Sequence, residues 1–108
     1  MVVSTKNYSG SVYDNLTNKI IGEHTSFSNL NKLNTLETGF VTETGTYFFP
    51  EGNISYLITY RNNIIQFPEG ILTATITAGT GIYFELVNKP MVINVNNTTL
   101  VRVITIKL

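Results

Sequence analysis

Few side chains in this sequence can do chemistry, and they stand far apart. Asp14 is the only aspartate, His24 the only histidine, and there is no cysteine. Thiolate nucleophiles, disulfides and Cys-ligated metals are therefore excluded. One histidine needs acidic partners at ligand spacing to hold a metal. None stands there, so neither a metal site nor a cofactor is expected. No Ser-His-acid arrangement is readable, and His24, alternating with Ile20, Gly22 and Ser26, reads as a structural or surface residue. Asp14 follows Tyr13 and is the catalytic candidate; its competing role is to start a turn with Asn15, as Asx residues do. Arg102 shares a strand face with Leu100, Ile104 and Ile106. A buried guanidinium needs a partner, for which Glu85, Glu43 and Glu23 are available; otherwise Arg102 keeps its stem buried and its head wet. Glu51 and Glu69 recur in two copies of Phe-Pro-Glu-Gly, at Phe49–Gly52 and Phe67–Gly70. Paired carboxylates can do acid/base work, but proline starts strands and glycine permits turns, so both copies read as punctuation.

The elements that must position these residues are strands. β-Branched and aromatic residues dominate, Gly, Asn and Pro interrupt them, and no helical period is convincing. Strands are expected at Tyr8–Asp14, Ile20–Leu30, Thr35–Phe49, Asn53–Arg61, Ile64–Phe67, Ile71–Ala78, Ile82–Val87, Met91–Val95 and Thr99–Lys107. Turns are expected at Asp14–Lys19, Asn29–Asn34, Arg61–Asn63 and Asn94–Thr99. Ile54, Tyr56, Ile58 and Tyr60 share one face, opposite Asn53, Ser55 and Thr59. Leu72, Ala74, Ile76 and Ala78 oppose Thr73, Thr75 and Thr77. Each pattern describes a sheet with one buried and one wet face. The last strand is apolar on both faces, with Val101 and Val103 opposite Leu100, Ile104 and Ile106. Eight or so short antiparallel strands at this spacing imply one all-β domain over residues 1–108, a barrel or a sandwich. An antiparallel eight-stranded barrel is the expectation, because closure removes exposed edges that an uncharged Ile- and Thr-rich chain would otherwise present.

Composition narrows the partners. The chain has 108 residues, 43% hydrophobic, 13% charged and of zero net charge. Its scattered Lys and Arg form no basic stripe, so nucleic acid and anionic membranes are not expected partners. No apolar run approaches the ~20 residues of a membrane helix. The first residues show no signal-peptide pattern, which makes a cytoplasmic location the default expectation.

The stretches "TGTYFFPEGNISY" and "FPEGILTATITAGTGIYFEL", with "SVYDNLTNKIIGEHT" upstream, resemble the allene oxide cyclase and dirigent barrel superfamily. The likeness runs from about Tyr8 to Val95. Ala78 stands where the family's signature has its first Gly, and Phe84-Glu85-Leu86 replaces its Ala-x-Gly. The resemblance implies an eight-stranded barrel, trimers through barrel walls, and in the cyclases an acid after a Tyr on the first strand that assists ring closure. Asp14 matches that acid in type, but Leu16 stands where an Asn is expected.

Two functions follow as expectations. One is a non-catalytic structural or interaction module, a homotrimer or else a dimer. The alternative is a barrel that binds or isomerises an apolar small molecule, with Tyr56, Tyr60, Phe84 and Arg102 as ligand-binding residues. An eight-stranded barrel is either filled by side chains or holds one small ligand. At this length a filled or narrow interior is favoured, and an enzyme is not.

Overall fold

The computed structural model describes residues 1–32 and 39–106. Among the described residues seven strands follow one another as β1 (Val2–Tyr13), β2 (Ile20–Lys32), β3 (Gly39–Phe49), β4 (Gly52–Arg61), β5 (Gly70–Gly79), β6 (Pro90–Asn96) and β7 (Val101–Ile106). Each pairs antiparallel with its neighbour in the chain, giving one sheet in the order β1 to β7, curled into a half-barrel. The eight-stranded closed barrel is thereby corrected: closure needs a ladder between the first and last strands, and β1 and β7 are the two ends of the strand order.

Two expected strands account for the difference. Ile64–Phe67 lies in the bend between β4 and β5, and Arg61–Asn63 is therefore not a tight hairpin. Ile82–Val87 is largely a 3-10 helix, Gly81–Leu86. Gly81 at φ +60° opens it, and the Tyr83 amide bonds the Thr80 carbonyl at 3.1 Å. In a three-residue turn, positions three apart share a face. Tyr83 and Leu86 accordingly turn inward, while Ile82 and Phe84 are exposed.

The alternation of β4 holds as expected: Ile54, Tyr56, Ile58 and Tyr60 are all buried, and Leu57 is exposed on the outer face. In β5, Ala74 and Ile76 are buried but Ala78 is exposed. A bulge explains this. Tyr56 pairs with Ile76 and Ser55 with Ala78, so Thr77 is the extra residue and Ala78 follows Ser55 outward. The turn expected after Asp14 and the one after Asn96 both join adjacent strands. β1 starts at Val2 rather than Tyr8 because its ladder to β2 runs back to Asn31. The residues before Gly39 in the expected Thr35–Phe49 strand, part of the Asn29–Asn34 turn and Lys107 lie outside the described residues.

The core lies on the concave side of β3 to β6. Val41, Tyr56, Ile76, Met91 and Ile93 are its most enclosed large side chains. The outer face is uncharged over β3 and β4 between Thr42 and Thr46, with cross-strand hydroxyl pairs Thr42–Thr59 at 3.3 Å and Thr46–Ser55 at 2.9 Å.

Gly45 sits opposite Tyr56 in the β3–β4 ladder, and the Tyr56 ring lies directly over it. A Cβ at Gly45 would overlap the Tyr56 hydroxyl and ring atoms. Forcing a methyl group into a packed site costs about 1–3 kcal/mol. The Gly45→Ala variant is expected to lose stability of about that size in urea denaturation, and an unchanged midpoint would refute this role for Gly45.

Candidate functional site

The same alternation that buries Val41 and Tyr47 on β3 turns Glu43 inward. Only 6% of Glu43 is exposed. Burying a carboxylate is costly unless its oxygens are satisfied. Here both accept: Ser28 Oγ of β2 donates to Oε1 at 3.0 Å, and the Tyr56 hydroxyl of β4 donates to Oε2 at 2.6 Å. Such charge-assisted bonds are about twice as strong as neutral ones. The register makes the contacts direct, since Ser28 pairs with Glu43 and Gly45 with Tyr56.

His24 completes the chain of bonds. Its Nε2 lies 2.7 Å from the Tyr56 hydroxyl. That hydroxyl spends its proton on Glu43, so its oxygen accepts from His24 Nε2–H. The histidine is then the neutral Nε2–H tautomer, leaving Nδ1 as an acceptor. Its ring stacks on Tyr47 at 4.3 Å and tilts against Tyr8 at 5.3 Å. Burial, then the charge of Arg102, lowers the His24 pKa to about 4. Burial raises the pKa of Tyr47, Tyr56 and Tyr60, with the Glu43 charge adding to each. Near pH 7 the imidazole and these phenols are neutral, suited to giving and accepting hydrogen bonds. A base of pKa about 4 is poorly matched to proton abstraction at pH 7.

These groups line a hollow of ≈ 1420 Å³ inside the curl, so the interior is neither filled nor narrow. The physical reason is the missing wall: a seven-stranded sheet that stops short of closing leaves its concave face open between β1 and β7.

Of the residues singled out from sequence, Tyr56, Tyr60 and Arg102 line this hollow. Tyr60 packs edge-on against Phe67 at 5.0 Å. The Arg102 guanidinium lies 4.5 Å over the Phe67 ring, and the residue is exposed, so its head is wet. Phe84 is corrected: it is 72% exposed on the 3-10 helix and is not part of the lining. Asp14 lies at one end of the hollow, where Oδ1 accepts from the Leu16 and Thr17 amides at 2.8 and 2.9 Å. Those bonds lower its pKa, and the carboxylate serves the turn. Glu51 occupies the β3–β4 turn and Glu69 approaches the Asn97 amide at 3.3 Å. Sequence reasoning named Glu43 only as a partner for Arg102, and it left Ser28 and Tyr47 unremarked. The readable signal was the phase of β3, in which Val41, Glu43, Gly45, Tyr47 and Phe49 share one face.

No family model, curated protein or solved structure matches this chain.

A pH dependence follows from His24. Its folded pKa is below the ordinary value of 6.5, so between these values the unfolded chain binds more protons. Stability is then fully present above about pH 6.5 and falls as pH drops from 6.5 towards 4. Urea denaturation across that range is expected to show this decline, and His24→Gln is expected to flatten it; an equal slope in the variant would exclude His24 as the cause.

Proposed function

We propose that this chain is a small binding protein whose concave face receives a mostly apolar molecule. The observation that carries this reading is the hollow, whose rings and aliphatic side chains surround a few convergent polar groups. Ligand sites commonly occupy about 300–1,000 Å³ and have this mixed lining. The larger volume here reflects the open side. The neutral state of His24 and the buried tyrosines near pH 7 favours holding a molecule over moving its protons. Isomerisation, which the likeness to cyclases implies, would need an acid or base titrating nearer to neutrality.

The binding test uses a neutral fluorescent reporter, N-phenyl-1-naphthylamine. Saturable enhancement with the full chain is expected, and it is expected to vanish in Ser26→Trp, which places an indole in the hollow, with the melting temperature retained. Enhancement that never saturates, or that persists in a folded Ser26→Trp variant, would overturn the reading.

A second reading, self-association through the last strand, draws on a separate observation. Val101 and Val103 face outward on β7 and are 51% and 36% exposed. β7 is also the last strand of the sheet order, and an edge strand presents unpaired backbone groups to a second chain. A homotrimer is the expected assembly and a dimer the runner-up. Sedimentation equilibrium at micromolar concentration is expected to give a multiple of 12.0 kDa; a single-chain mass that does not rise on concentration would exclude it.

A further inference from the structure

Resting on the binding reading, we propose that the molecule taken up is a planar aromatic carboxylate, its ring against the Tyr47–His24 wall and its carboxylate on Arg102. Three observations point there.

The first is the character of the wall. Tyr8, His24, Tyr47, Phe49 and Tyr83 form a run of ring contacts through the hollow, with successive centroids 5.3, 4.3, 6.4 and 5.6 Å apart. Tyr47 and Phe49 stack at 16° and Tyr47 and His24 at 19°. Stacked rings cover one another's faces, so what these three offer the hollow is largely their edges, and edge-to-face contact with such edges favours an aromatic guest over a flexible chain.

The second is the cation. Arg102 lines the same hollow, and its guanidinium is held over Phe67. Its charge reaches His24, Tyr47 and Tyr60, which line the same hollow. A guanidinium stacked on a ring keeps its N–H edge available, and that edge matches a carboxylate bidentately.

The third is where the negative charges stand. Both Glu43 oxygens are occupied by Ser28 and Tyr56. Asp14 and Glu51 lie in the β1–β2 and β3–β4 turns, at one end of the hollow. Lys6 adds a second cation to the lining from β1, so the cations stand on the two edge strands and the free carboxylates in the turns at one end.

Isothermal titration calorimetry of the full chain at pH 7 tests this with 2-naphthoate, its neutral isostere 2-naphthamide, and octanoate. The naphthoate is expected to bind at least ~10-fold more tightly than either other compound, a difference of about 1.4 kcal/mol. Arg102→Gln is expected to abolish the preference for acid over amide, and Arg102→Lys to retain part of it. Equal binding of acid and amide, octanoate binding as tightly as naphthoate, or a preference that survives in Arg102→Gln would each overturn the proposal. Should Arg102→Gln fail to fold, the comparison of the three compounds on the unaltered chain decides. If the neutral reporter binds and naphthoate does not, only the carboxylate assignment falls; if neither binds, the binding reading falls with it.

Discussion

The interior is organised around one requirement: a carboxylate taken out of water must have its oxygens satisfied. Glu43 meets it with Ser28 on one side and Tyr56 on the other. Three neighbouring strands are thus joined through side chains as well as through their ladders. The Tyr56 hydroxyl is the pivot, because donating to Glu43 obliges it to accept from His24. The histidine tautomer, the orientation of its ring and its stacking on Tyr47 all follow from that proton assignment. Gly45 is a precondition, since any side chain there would occupy the volume of the Tyr56 ring. A polar network this enclosed is expensive when incomplete and specifying when complete. Among the described residues no buried side-chain nitrogen or oxygen lacks a partner.

Curvature supplies the second half of the architecture. A meander of seven strands bends enough to enclose a space but leaves its first and last edges apart. The bulge at Thr77 bends β5 near its end, and the 3-10 helix follows in place of the expected strand Ile82–Val87. Gly52 and Gly81 pack backbone to backbone there, each lying where a Cβ would strike the carbonyl of Thr80 or Glu51. Both also have positive φ. The turn that begins β4 and the turn that leaves β5 are therefore docked together, and the repeated Pro-Glu-Gly element takes part through its first copy.

The legible part of this molecule was what depends on a period of two. Alternation in β4 places Tyr56 and Tyr60 inside, and the same rule applied to β3 places Glu43 beside them. Breaks in the period were not legible. Ala78 leaves the inner face because one extra residue enters β5, and Phe84 leaves it because a three-residue turn replaces the strand. Apolar alternation alone cannot separate a short strand from a 3-10 turn opened by Gly81. The interior volume was illegible for a related reason. Each expected strand that proved to be a bend or a turn removed wall from the barrel, so a miscount of strands became a misjudgement of the space they enclose.

Ser28 and Tyr56 satisfy Glu43 from the strands on either side of it, so its pairing is independent of whether the sheet closes. In the half-barrel the network is enclosed by rings on one side and faces the hollow on the other. The carboxylate stays buried while the imidazole and Tyr60 remain beside the accessible space. Arg102, on the far edge strand, places a guanidinium in the same space without entering that network. The guanidinium at the mouth is thereby separated from the satisfied network at the floor. On the proposed binding reading, a change at Arg102 alters what the hollow accepts without disturbing the bonds that fix Glu43, because Ser28, Tyr56 and His24 hold their geometry through other strands, β2 and β4.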